Sequence, residues 1–465
     1  MSALYVATLS LYDALAFLVP VGLALLAIGA AREDRAQEVA RTALLAVAAA
    51  FVGYFACGFA LQFGGVGLVS GMPGLQNLTA EWSPLDLAWG PGWGVIGLRG
   101  FFLIGEAYEP DAYLLFASQL PAVTTAVLAA SLALCNRLKS THLAVIGLLI
   151  SAFIYPLFNN WVWGGGWLAN LGVNLELGHG FLDAAGSAGV FLLGSLVALS
   201  VVLATWPMAR KPLGQTDAAP DPPRLPPVHF PLLMVVGAAL ALCGWAGLVL
   251  GNPLLGQWIQ APMVMVNLAL AAAAGAGLSA AYCWFVTGEA DALTMARGMV
   301  AGLVSAGAAC ALIPAWTALV IGGIAGLLLP LGLYLWDVVL RLDDPGAAMV
   351  TYGLPAVWGS VAVAIFADGR WGAGWNGVGV EEYLKVASQG VTGLVLAAGY
   401  QPAGAAQLYA QLAGLGALLV AALLLPWLML RACLWIHATA RPARPAPEAP
   451  PQPSSARKRK RSKTT

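Results

Sequence analysis

The chain alternates between long apolar runs and short polar connections. Eleven runs are long enough to cross a bilayer, since a spanning helix needs about 20 mostly apolar residues. They fall at residues 11–31, 42–63, 112–134, 141–161, 183–206, 230–251, 262–287, 294–314, 316–340, 346–367 and 405–436. The pattern predicts an all-α polytopic membrane protein with about eleven transmembrane helices.

The polar connections divide these spans further. A Pro-rich loop at residues 207–228 separates the first five spans from the next five, which predicts two halves related by an inverted repeat, followed by a C-terminal helix. We expect one transmembrane domain at residues 1–440. Residues 441–465 are Pro-rich and then basic, which predicts a disordered cytoplasmic tail.

Charge and composition agree with this picture. Hydrophobic residues make up 60% of the 465 residues and charged residues 9%, with mean hydropathy +0.80. Basic residues concentrate in the connections that follow odd-numbered spans, so the positive-inside rule places the N-terminus outside and the C-terminus in the cytoplasm. The connections after even-numbered spans carry only Arg99, Arg370 and Lys385.

The sequence contains none of the common motifs of soluble enzymes. There is no phosphate-binding loop, dinucleotide fingerprint, nucleophile elbow or HExxH motif, and the six cysteines form no CxxC or Cys/His cluster. No aromatic-and-basic pattern indicates nucleic-acid binding. We therefore expect neither enzyme activity nor a cofactor or metal. The histidines all fall near predicted helix ends, so a histidine proton relay at mid-membrane is not expected.

Four segments carry a more specific signal. Residues 183–191 (DAAGSAGVF) and 343–353 (DDPGAAMVTYG) begin long apolar segments, residues 58–64 read GFALQFG, and residues 161–168 read WVWGGGWL. These segments resemble motifs of the ammonium transporter family, the Amt, methylammonium permease and Rh proteins. The resemblance covers roughly residues 20–367. It implies a plasma-membrane protein that passes ammonium or ammonia through a channel-like pore, with a homotrimer as its assembly.

The resemblance also assigns site residues. It places the outer cation site at Trp163, with Asp183 and Asn252 as its further members; for Asp183, shaping the vestibule is favoured over direct contact. A tryptophan face attracts ammonium by a cation–π interaction, although a packing role for Trp163 remains an alternative. Two stacked gate phenylalanines of the family fall on Leu120 and Leu248, and its two pore histidines fall on Phe191 and Tyr352.

These substitutions leave the mechanism open. Imidazole can exchange a proton near neutral pH, whereas phenylalanine cannot and tyrosine titrates near pH 10. The chain is therefore either a transporter with altered selectivity residues or a non-conducting homologue that acts as a sensor or regulatory subunit. A transporter of another small substrate is a third reading. The tail after Arg431 does not match the segment through which family members bind a PII-type regulator, so the resemblance implies that partner only weakly.

Overall fold

The computed structural model describes residues 3–205, 230–256, 258–341 and 347–440. Ten helices in this part of the chain are long and apolar enough to cross a membrane, and a shorter apolar helix lies among them. In chain order, α1 to α11 are Leu4–Ala30, Glu33–Leu68, Pro110–Leu134, Ser140–Trp163, Ser187–Ala204, Pro231–Leu250, Ala261–Thr287, Ala292–Gly307, Ala315–Val339, Met349–Phe366 and Ala406–Ile436. These helices confirm the predicted polytopic helical membrane protein.

Several boundaries differ from the prediction. Helix α1 begins at Leu4 and not at residue 11, because residues 4–10 (LYVATLS) are mostly apolar and continue the helix. Helix α8 ends at Gly307, whereas the predicted span ran to residue 314. The intervening backbone turns away because the carbonyl groups of Gly307 and Ala308 accept hydrogen bonds from the N–H groups of Ala185 and Ala184. The predicted tail, Asp343 and Asp344 lie outside the described residues.

The helices pack in two halves with matching contacts. Helix α2 packs against α3 and α4, and α7 packs against α8 and α9 in the same manner. Helix α5 lies on α3, as α10 lies on α8, while α1 and α6 pack against each other. Helix α11 contacts both α5 and α10 and so connects the two halves. This pairing is the one expected of a five-plus-five arrangement with an added C-terminal helix.

Small residues allow the helix backbones to approach closely. A methyl group on Gly275 of α7 would collide with the carbonyl oxygen of Gly298 in α8, and Gly326 of α9 lies equally close to Gly275. Lipid tails are as apolar as the helices, so close van der Waals packing, and not water expulsion, holds such helices together. Glycine at these positions therefore sets the spacing of the second half.

The connections on the side that the charge pattern predicts to be outside, here called the outer side, are long and irregular. Between α2 and α3 the chain forms single helical turns and an antiparallel pair of strands, β1 (Glu81–Trp82) and β2 (Ile96–Gly97). Between α10 and α11 it forms a second pair, β3 (Glu382–Tyr383) and β4 (Val386–Ala387). Their polar backbone groups are bonded within these connections, which lie over the outer ends of the spanning helices.

Candidate functional site: an outer cavity above a buried aromatic cluster

Phe191 and Tyr352, which the resemblance aligns with two pore histidines, lie in equivalent turns of the two halves. Phe191 belongs to a π-helical turn at Ser187–Leu192, which opens α5, and Tyr352 to another at Met349–Gly353, which opens α10. Such turns widen the helix locally and often accompany functional positions. Both side chains consequently point to the same place between the halves, where their ring centroids are 5.8 Å apart.

A third ring completes this cluster. The indole of Trp245 in α6 stacks on Phe191, with centroids 4.8 Å apart and ring planes 7° from parallel. Phe191 and Trp245 are fully buried, and Tyr352 is 4% exposed. The Trp245 Nε1–H has no hydrogen-bond partner among the described residues, although it could donate to a small polar molecule. We call Phe191, Trp245 and Tyr352 the aromatic cluster.

The two gate positions lie on the helices beside this cluster. Leu248 is three residues after Trp245 on α6, so both side chains share one face of that helix. Leu248 is buried, and Leu120 in α3 is half-buried against the same core. Leucine in place of phenylalanine removes the flat stacking surface from both positions and keeps them apolar.

Trp163 lies above the cluster at the end of α4. It is half-buried, and its indole Nε1 donates a 3.0 Å hydrogen bond to the carbonyl oxygen of Asp183. It lines an outer cavity of about 740 Å³. The tryptophan face is therefore held in one orientation at the wall of a space large enough for a hydrated cation.

The side chains of Asp183 and Asn252 accept hydrogen bonds from backbone N–H groups and do not line that cavity. One carboxylate oxygen of the buried Asp183 accepts hydrogen bonds from the N–H groups of Ala188 (3.0 Å) and Gly189 (2.8 Å), which caps α5. The side-chain oxygen of Asn252 accepts a 3.0 Å hydrogen bond from the N–H of Leu254 and so shapes the turn after α6. Both side chains therefore hold local backbone in place, and the predicted substrate-site roles of Asp183 and Asn252 stay predictions.

The outer connections supply the rest of the cavity wall. Trp258 and Trp375 stack there with centroids 5.7 Å apart and planes 13° from parallel, and Tyr5 of α1 lines the same space. Trp82, Trp89 and Trp93, the tryptophans of the first long connection, do not line it. Trp375 was not predicted from the sequence, because it lies in a Gly-rich stretch without periodicity, and Trp245 was assigned no role.

The described histidine nearest this region is not a proton carrier at neutral pH. His179 precedes α5, is fully buried and packs edge-on against Tyr383, 4.9 Å away. Burial lowers the pKa of His179 to about 4, so its imidazole is uncharged near neutral pH. Within the described residues no cluster of potential metal ligands occurs either.

Two matching halves, an aromatic outer cavity and buried pore positions between the halves define a polytopic membrane protein of the transporter class. The chain belongs to the Ammonium Transporter Family, whose model matches residues 7–438. It is 34% identical over 353 residues to the ammonium transporter Amt2 of Archaeoglobus fulgidus, covering 76% of this chain and 69% of that protein. With Amt1 of the same organism it shares 30% over 280 residues, 59% of this chain and 65% of that protein.

Solved structures agree in fold. A structure described as a sensor Amt protein superposes with a TM-score of 0.70 at 22% identity, covering 92% of each chain. Mep2 of Saccharomyces cerevisiae gives a TM-score of 0.70 at 22% identity, covering 95% of this chain and 89% of that one. At this level of identity the likeness concerns the fold alone.

Proposed function

We propose that this protein moves ammonium nitrogen across the membrane, taking up ammonium in the outer cavity and passing neutral ammonia through the aromatic cluster. The observation that carries the proposal is the arrangement of a half-buried Trp163 at the cavity wall above three buried rings. The proton that ammonium gives up on entry returns to the outer water, so the transported species is uncharged.

The chemistry of the cluster favours the neutral species. A bare cation between Phe191, Trp245 and Tyr352 would lose its hydration without any carboxylate or imidazole in the cluster to replace it, which costs several kcal/mol. Ammonia loses far less on leaving water and can accept a hydrogen bond from the Trp245 indole. The substituted histidine positions thus select against charge and do not carry a proton relay.

The predicted site residues take separate roles in this proposal. Trp163 attracts the cation through its ring face, worth about 0.5–2 kcal/mol. The backbone carbonyl of Asp183 holds Trp163 in place, and Asn252 shapes the turn after α6. Leu120 and Leu248 form the apolar neck between the cavity and the cluster, where water is excluded.

A second candidate function is supported by the burial of the cluster. Rings that are 0–4% exposed and stacked close the path between the halves in this conformation. A non-conducting homologue that acts as a sensor or regulatory subunit would need only the cavity and a response to its occupation. Transport of another small uncharged substrate is compatible with the same apolar path.

Growth of an ammonium-uptake-deficient strain tests the proposal. Rescue by the unmodified protein supports transport, and no rescue despite good membrane expression opposes it. The double variant Phe191→His, Tyr352→His separates the alternatives. Growth that appears only in this variant identifies the natural protein as the non-conducting form.

The proposal also covers the location, orientation and assembly of the protein. We infer a plasma-membrane protein with its N-terminus outside and its C-terminus in the cytoplasm, because basic residues follow odd-numbered spans. Residues 1–440 form the transmembrane domain and residues 441–465 the tail. A homotrimer with one pore in each subunit is the assembly implied by the family, and a PII-type regulator is a partner only weakly implied.

A further inference from the structure

A buried carboxylate without a hydrogen-bond partner among the described residues lies in α1, the helix that contributes Tyr5 to the cavity wall. Asp13 in α1 is 5% exposed, and neither carboxylate oxygen has a hydrogen-bond partner among the described residues. An uncompensated charge in a membrane interior is costly, and such groups in membrane proteins mark substrate or ion sites by default. Nothing in the packing of α1 requires an acid at this position, because its neighbours along the buried face, Leu9 and Ala16, are apolar.

The position of Asp13 connects it with the cavity. Tyr5, eight residues earlier and therefore close to the same face of α1, lines the cavity wall. The Asp13 carboxylate lies against Gly251, where any side chain would collide with it. Pro253, two residues beyond Gly251, lines the cavity as well. The carboxylate therefore lies next to the turn that Asn252 shapes, and this turn contributes Pro253 to the cavity wall.

The same segment of α1 contacts the helices that carry the neck. Residues Ala3–Ala16 pack against both α3 and α6, which hold Leu120 and Leu248. Residue Gly247, the neighbour of Leu248, would collide with the backbone of α1 at Ala16 if it carried a methyl group. Asp13 therefore belongs to a helical segment that packs directly against both helices of the neck.

We propose that Asp13 is a second cation-binding group, which takes a small monovalent cation with N–H donors, of the ammonium class, from the outer cavity. Its oxygens accept the N–H bonds that the cation loses on leaving water, and the charges compensate each other. Trp163 supplies only a ring face, and Asp13 adds a carboxylate that compensates the charge of a bound cation. This inference deepens the proposed function and rests on it for the identity of the ligand.

Ligand binding to the purified full chain in nanodiscs tests this role without requiring conduction. Isothermal titration calorimetry measures ammonium chloride binding to the natural protein and to Asp13→Asn. Glu109→Gln, which removes an exposed acid of the outer connection, is the matched control. We expect Asp13→Asn to lose at least about tenfold in affinity and Glu109→Gln to keep it. Equal affinities for the natural protein and Asp13→Asn would overturn the inference, as would a natural protein that binds no ammonium.

Thermal unfolding distinguishes binding from a structural role. Removing an unpaired buried charge should raise the unfolding temperature of Asp13→Asn in the absence of ammonium and abolish the further rise that ammonium gives the natural protein. A variant that unfolds at lower temperature and still responds to ammonium would contradict the inference. Ammonium binding that depends on Asp13, without any uptake in cells, would support this inference and oppose the proposed function. A failure of the inference can therefore be distinguished from a failure of the proposed function.

Discussion

The ring of Phe191 stacks on the indole of Trp245, with centroids 4.8 Å apart and planes 7° from parallel. One ring comes from the first half of the molecule and the other from the second, so this contact bridges the two halves. Offset stacking of this kind adds about 0.5–1.5 kcal/mol beyond the area that it buries. The contact also fills the place where the family has its first pore histidine.

Removing the Phe191 ring should open the path between the halves. We expect Phe191→Ala to increase ammonia permeability and to lower the free energy of unfolding by about 3–5 kcal/mol, the usual cost of deleting a buried phenylalanine. Stopped-flow measurement on proteoliposomes follows the permeability. Phe158→Ala is the control, since Phe158 is equally buried but packs against Trp161 and Phe181, away from the cluster. A similar gain in Phe158→Ala would assign the effect to general loosening.

Trp163→Leu should weaken capture of the cation in the outer cavity. The lost cation–π attraction of about 0.5–2 kcal/mol corresponds to a rise of about 2- to 30-fold in the KM for methylammonium uptake. The matched variant is Trp161→Leu, whose indole bonds to the Val95 carbonyl and does not line the cavity. An unchanged KM in Trp163→Leu would leave this tryptophan with a packing role.

Asp183→Ala should destabilise the start of α5. The carboxylate bonds to two backbone N–H groups, and leaving these buried donors unsatisfied costs about 1–3 kcal/mol each. Asp183→Asn keeps one oxygen acceptor and should lose less. Thermal unfolding in detergent measures both, with the exposed Glu109→Ala as control. Full stability of Asp183→Ala accompanied by loss of ammonium binding would instead make Asp183 a ligand.

Replacing each of two glycines on α7 by alanine should change the stability of the protein differently. Gly275→Ala forces a methyl group into the backbone of α8, and overpacking of this kind costs about 1–3 kcal/mol. Gly277→Ala meets open space on the same helix and should be neutral or slightly stabilising. Unfolding of both variants in one detergent compares them directly. Equal stability of the two would mean that close helix approach does not hold the second half together.

Sequence patterns predicted the spanning helices and placed Phe191 and Tyr352 near the starts of two of them, because spanning length and motif spacing are local properties. They did not predict Trp375 as part of the cavity wall, since irregular connections carry no periodicity. Asp13 was missed for a related reason. It is the third residue of the predicted span 11–31, where an acid fits the interface, whereas the helix begins nine residues earlier at Leu4 and places the acid inside.

The aromatic cluster itself could only be seen in three dimensions. The motifs placed Phe191 and Tyr352 at the start of two distant spans, and their meeting depends on how the halves pack. Trp245 comes from a third helix, α6, and nothing local in its motif gives the direction of its ring. Contacts between halves are non-local, so a single sequence does not determine them by pattern.

Transport of neutral ammonia is tested most directly by an ammonium gradient applied to proteoliposomes that hold the natural protein, with the internal pH and the membrane current recorded together. Ammonia that enters binds protons inside. We therefore expect faster internal alkalinisation than in protein-free liposomes, without a current. Alkalinisation no faster than in protein-free liposomes, or an inward current that scales with the ammonium gradient, would contradict it.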